Sequence, residues 1–171
     1  MIRRELLGAG SAAMLLAACA AVNPPAPPAA PVPPTAPLRN WSGRLSLQVR
    51  AQPPQSFSAA FELKGGAQAG ELVLSTPLGS TLGVLSWSPE GASLKTGSEL
   101  RRFASVDSLF EQVTGTAVPV AALFDWLDGR NTPAQGWEAD LSQAAGGRYL
   151  ARRVAPAPVA ELRIVLDPPA R

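Results

Sequence analysis

After Trp41 the apolar residues of this chain recur mostly at every second position, and one contiguous stretch breaks that rhythm with helical spacing. A period of two belongs to strands with one buried face, and a period near 3.6 to amphipathic helices. Leu45, Leu47 and Val49 alternate with Ser46, Gln48 and Arg50, and Phe57, Ala59, Phe61 and Leu63 continue the pattern. Gly65-Gly66 and Gly70 supply a hairpin connection to a strand over Glu71–Ser75. Strands over Thr81–Trp87 and Ala92–Thr96 follow, separated by the turn-forming Ser88-Pro89-Glu90-Gly91.

Beyond Phe103 the spacing changes. Val106, Leu109, Phe110 and Val113 define a helix over Ser105–Thr114 with Ser105 as N-cap, and Gly115 stops it. Pro119 opens a second helix, in which Val120, Leu123, Phe124 and Leu127 repeat the spacing as far as Gly129. Strands return at Gly136–Ser142, Arg148–Val154 and Ala160–Leu166. Each helix has one apolar stripe to bury, so the order strands, helices, strands predicts a curved antiparallel sheet covered on one face by the helical insert. The class is mainly β, an open half-barrel with a lid. Spacing alone favours a solid core beneath the lid over a cavity, since both require the same inward apolar residues.

Composition narrows the chemistry. The 171 residues contain no histidine and one cysteine, Cys19. Triads with a histidine base and His/Cys zinc sites are therefore excluded, as is an internal disulfide. Lys and Arg number 15 against 13 Asp and Glu, a net charge of +2, so nothing points to nucleic acid. No metal and no dissociable cofactor are expected.

The N-terminus has the form of a secretory signal: Arg3-Arg4, an apolar run from Leu6 to Leu16, and small residues leading into Cys19. Leu16-Ala17-Ala18-Cys19 resembles the bacterial lipobox, which implies cleavage after residue 18 and N-acyl diacylglycerol on Cys19. Ala20 and Ala21, standing where aspartate marks inner-membrane retention in sorted lipoproteins, imply the outer membrane, facing the periplasm. Of the fifteen residues from Asn23 to Pro37, eight are proline. Such a run favours polyproline II over packing and spans roughly 45 Å at about 3.1 Å per residue. The expected divisions are a signal peptide over 1–18, a lipidated tether over 19–39 and one globular domain over 40–171.

Several motifs, in order, are together similar to the LolB family of outer-membrane lipoprotein receptors. They are the lipobox, Trp41 with Gly43-Arg44, Thr76-Pro77-Leu78-Gly79-Ser80, and Gly115…Val118-Pro119…Leu123…Trp126-Leu127…Gly129. The resemblance implies an open antiparallel β-barrel with a helical lid and an apolar cavity for acyl chains. It also implies a monomer that accepts acylated lipoproteins from the periplasmic carrier LolA and inserts them among outer-membrane phospholipids. The leucine of the family's Pro-Leu-Gly loop protrudes and delivers cargo, a role that falls on Leu78 between Pro77 and Gly79. Without the family, the simpler reading of that loop is a β-turn whose leucine folds back inward. Cavity candidates chosen by face are Leu45, Leu47, Phe57, Phe61, Leu63, Leu74, Trp87, Leu109, Phe110, Leu123, Trp126 and Leu127.

Two other functions compete. A structural lipoprotein would support an envelope complex and needs no cavity. An envelope hydrolase would need paired carboxylates, for which Glu111, Asp125, Asp128, Glu138 and Asp140 are available without a recognisable constellation.

Overall fold

The computed structural model describes residues 39–168. The expected signal peptide, Cys19 and the tether up to residue 38 lie outside the described residues. Strand β1 (Arg39–Arg50) starts one residue before the expected domain boundary, with Arg39 opposite Gly65 of β2 (Gln55–Gly65). Then come β3 (Gly70–Ser75), β4 (Thr81–Ser88), β5 (Gly91–Thr96), β6 (Glu99–Phe103), α1 (Val106–Thr114) and α2 (Val120–Leu127). β7 (Trp137–Asp140), a single 3-10 turn over Ala144–Gly146, β8 (Arg148–Arg153) and β9 (Val159–Leu166) complete the domain. β6 was not anticipated, and β7 is shorter than the expected Gly136–Ser142. No helix among the described residues is long and apolar enough to cross a membrane.

All nine strands form one antiparallel sheet in the order β6-β5-β4-β3-β2-β1-β9-β8-β7. The last strand in the chain is therefore inserted beside the first, and β6 and β7 are the two edges. Antiparallel pairing carries alternate connections to opposite ends of the sheet. Residues 51–54, 76–80, 97–98 and 154–158 turn at one end, here called the hairpin end, and residues 66–69, 89–90 and 141–147 at the other.

One glycine sets how closely two strands approach. A Cβ on Gly43 would lie 2.1 Å from the Val165 carbonyl oxygen, so only glycine lets β1 lie against β9 there. The inward residues of the strands merge with α2 in one core that includes Leu47, Phe61, Leu63, Leu85, Phe124, Trp126, Leu162 and Ile164.

The helices form for local reasons. The Ser105 hydroxyl accepts from the Ser108 amide and the Ser108 hydroxyl accepts from the Ser105 amide, both at 3.1 Å, a reciprocal cap. Gly115 closes α1 in the left-handed region, φ 70°, donating its amide to the Glu111 carbonyl at 2.9 Å. α2 buries Val120, Ala122, Phe124, Trp126 and Leu127, whereas α1 fully buries only Leu109. The two helices are thus unequal partners in the cover, one set into the core and one lying over it.

Candidate functional site

Between sheet and helices lies an apolar cavity of about 400 Å³, within the range of small-ligand sites, about 300–1,000 Å³. This corrects the solid core that spacing alone favoured. Its walls come from the inward faces of β1 to β5 and β9, from the C-terminal half of α1, and from Val118 and Leu123 of the helix link and α2, and among the described residues no charged side chain lines it. Gln55, Ser56, Thr96 and Thr114 are its few polar residues. All four stand at the hairpin ends of their elements, so the polar groups rim the space and the apolar ones fill its depth.

The candidate residues divide among three places. Leu45, Leu47, Phe57, Leu74, Phe110 and Leu123 line the cavity. Phe61, Leu63, Trp87 and Leu127 line a smaller recess of about 30 Å³, which Leu45, Phe110 and Leu123 share with the cavity. Leu109 and Trp126 line neither space, which corrects their assignment. Leu109 is completely buried. Trp126 turns toward β7, 6.5 Å from the Trp137 ring, and its indole N–H donates to the Thr132 carbonyl at 2.9 Å. Leu72, Leu82, Leu85, Leu94, Val113 and Ile164 line the cavity unforeseen; Leu72, Leu85, Leu94 and Ile164 share the inward parity of their strands, whereas Leu82 is off the inward parity of β4, at the register shift opposite Leu74 and Ser75.

The β3–β4 connection displays its leucine. The Thr76 amide donates to the Ser80 carbonyl at 2.8 Å and the Gly79 amide to the Thr76 carbonyl at 2.9 Å. The Thr76 hydroxyl accepts from the Ser80 amide at 3.1 Å. Gly79 has φ 86°, a left-handed conformation that closes a short hairpin loop at no steric cost. Pro77, with its fixed φ, precedes the tip. Leu78 is 95% exposed, so the reading in which it folds back inward is corrected. Leu74 and Leu82, on either side of the loop, line the cavity.

The link between the helices sits at the same end. The Trp137 indole N–H donates to the Ala117 carbonyl at 3.1 Å, and Arg153 donates to the hydroxyl of the buried Thr116. The far end of α2 is held too: the Tyr149 hydroxyl donates to the Leu127 carbonyl at 3.3 Å, and Asp128 pairs with Arg39 and Arg130.

The candidate acids of a hydrolase do not converge on the cavity. Asp125 accepts from the Thr132 hydroxyl and from Arg130, which hold its carboxyl below the usual range. Asp140 accepts from the Ser142 amide at 3.0 Å and is lowered for that reason. Glu138 stands on β7 opposite Arg152, and Glu111 is exposed on α1. Among the described residues, no group of three His, Cys, Asp or Glu side chains is placed to hold a metal ion.

An open antiparallel half-barrel, covered by two short helices around an uncharged apolar space, defines a protein built to enclose an apolar ligand. The model of the outer membrane lipoprotein LolB family matches residues 39–152. Proteins named outer-membrane lipoprotein LolB are similar to this chain over most of its length. The Cupriavidus pinatubonensis protein is 37% identical over 148 residues, 85% of this chain and 70% of its own. The one from Cupriavidus metallidurans is 36% identical, covering 78% of this chain and 64% of its own. That of Thiobacillus denitrificans is 33% identical, covering 85% and 75%. The chain belongs to the LolB family.

Proposed function

We propose that the protein is an outer-membrane lipoprotein, anchored through N-acyl diacylglycerol on Cys19 and facing the periplasm. It accepts acylated lipoproteins from the soluble carrier LolA and inserts them into the inner leaflet of the outer membrane. The observation that carries this reading is the placement of the cavity's rim at the same end of the sheet as Leu78, 95% exposed.

The physical need is plain. Moving an acylated protein through water exposes its chains at about 0.8 kcal/mol per CH₂, and an uncharged cavity removes that barrier. Transfer runs one way without nucleotide if the acyl chains fit this cavity better than the carrier's and the bilayer better still. Leu78, at the tip of a tight loop of small residues, enters the lipid surface at low cost. The protein acts by binding and hand-over; no bond of the cargo is broken.

The test starts from carrier loaded with labelled triacylated lipoprotein, mixed with the purified protein. The label is expected to move to the protein and to be displaced by detergent. No transfer, together with stable co-purification in an envelope assembly, would instead support a scaffolding role. Intact-mass measurement of envelope protein is expected to show loss of residues 1–18 and gain of acyl mass; an unmodified thiol at Cys19 would defeat the anchor.

A further inference from the structure

We propose that the β8–β9 loop, Val154-Ala155-Pro156-Ala157-Pro158-Val159, is a second lipid-contacting element that seats the protein on the bilayer together with the Leu78 hairpin. The inference rests on the proposed insertion function and extends it from one residue to a face.

Its basis is the make-up of the whole hairpin end. Five segments meet there: residues 51–54, 76–80, 97–98, the helix link 115–119 and 154–158. The helix link belongs to this end because Arg153, the last residue of β8, bonds Thr116, and because a Cβ on Gly115 would lie 3.8 Å from the Gln55 side chain. None of these segments contains Asp, Glu, Lys or Arg. The connections of the opposite end and the α2–β7 segment contain Glu90, Asp128 and Arg130. Loops exposed to water are ordinarily polar and charged, whereas here charge begins only in the strands behind the loops, at Arg50, Glu99 and Arg153, so the loops themselves suit a medium that penalises charge.

That end also carries apolar side chains that the fold does not bury. Val154 is 49% exposed and Val159 40%, at the two feet of the β8–β9 loop, and Ala155 and Pro156 between them are exposed. Phe57, at the start of β2, is 42% exposed and also lines the cavity. In sheet order β3 and β4, which carry Leu78, are separated from β9 by β2 and β1, and the cavity is lined from β5 through these strands to β9. Two apolar loops, at β3–β4 and at β8–β9, therefore stand apart along the end of the sheet that holds the cavity rim. A single loop leaves the domain free to tilt, whereas two contacts fix it with the rim against the lipid, so acyl chains leave without crossing water. Loops without charge, backed by the cation Arg50 opposite Val159, favour a lipid interface reached by apolar burial over an acidic or basic protein surface.

The experiment uses the full lipidated chain in vesicles of phosphatidylethanolamine and phosphatidylglycerol. A polarity-sensitive fluorophore is attached to a cysteine at Val154, at Leu78 or at Ser142 of the opposite end; one label per chain confirms that Cys19 is blocked. Labels at 78 and 154 are expected to shift to the blue and to be quenched by brominated lipid, unchanged by high salt, while the label at 142 stays aqueous. The double variant Val154→Glu with Val159→Glu is expected to accept cargo normally and to release it to vesicles roughly tenfold more slowly.

An aqueous label at 154 beside a lipid-embedded label at 78 would overturn the second contact and leave the insertion function standing. Aqueous labels at both sites would remove the insertion reading as well. A label at 154 that responds to the carrier and not to lipid would make this a carrier-docking face and contradict the proposal.

Discussion

Arg153, the last residue of β8, donates a hydrogen bond to the hydroxyl of Thr116, which is buried in the link between the two helices. A buried hydroxyl that satisfies a guanidinium is costly to remove. Thr116→Val is therefore expected to destabilise the domain by about 1–3 kcal/mol, a drop in Tm of roughly 3–10 °C. Thr116→Ser keeps the hydroxyl and is expected to melt close to the natural protein. Equal melting of the valine and natural forms would show that the bond does not hold the link.

That anchorage assigns the moving part of the cover. α2 is set in the core and bonded at its far end by Tyr149, whereas α1 fully buries only Leu109 and places Val113 beside the cavity. Bridging cysteines at Val113 and Phe57 with a flexible cross-linker is expected to abolish cargo uptake, while one-ended modification of either cysteine leaves uptake in place. Unchanged uptake in verified cross-linked protein would remove α1 from the mechanism.

Gly43 gives a sharper stability test. The space for its missing Cβ is occupied by the Val165 backbone, so Gly43→Ala must push β9 from β1 in the middle of the sheet. A loss of about 2–4 kcal/mol is expected, with backbone amide exchange accelerated along β9. Exchange unchanged in β9 would contradict the close approach.

Acid should act on the outer face of the sheet. Glu161 accepts from Arg152 and Arg163, and the Arg152 bond above all holds its carboxyl below the ordinary 4.5. A carboxyl lowered in the folded state contributes stability above its unfolded value and loses it as the pH falls from 4.5 through the lowered one. Glu161→Gln is expected to lower Tm at pH 7 by no more than about 3 °C, since the pair is largely solvated, and to flatten the pH dependence below 4.5. An unaltered acid slope in the variant would assign that slope to other groups.

Much of the fold was legible because alternation and helical spacing are direct consequences of burying one face. β6 was not, since Glu99, Leu100, Arg101 and Arg102 are all exposed on an edge strand and carry no apolar period. The cavity was illegible for a related reason: Leu47 and Leu85 face inward whether or not the space between them is filled. Leu109 and Trp126 share stripes with residues that line the cavity, and only their position on the helices shows that they pack elsewhere. The exposure of Leu78 came from the family resemblance, because a Pro-Leu-Gly turn by itself points its leucine either way.

The central claim is that receiving and inserting cargo are separate steps and that Leu78 serves only the second. The measurement is a two-stage transfer of labelled lipoprotein, from the carrier to this protein and then to liposomes, comparing Leu78→Glu with the natural chain and following thermal melting alongside. At 95% exposure the substitution should change stability by no more than about 0.5 kcal/mol. The variant is expected to accept cargo at the natural rate and to accumulate it, because a carboxylate at the tip opposes entry into lipid. Insertion at the natural rate, or early melting with no acceptance at all, would contradict the account.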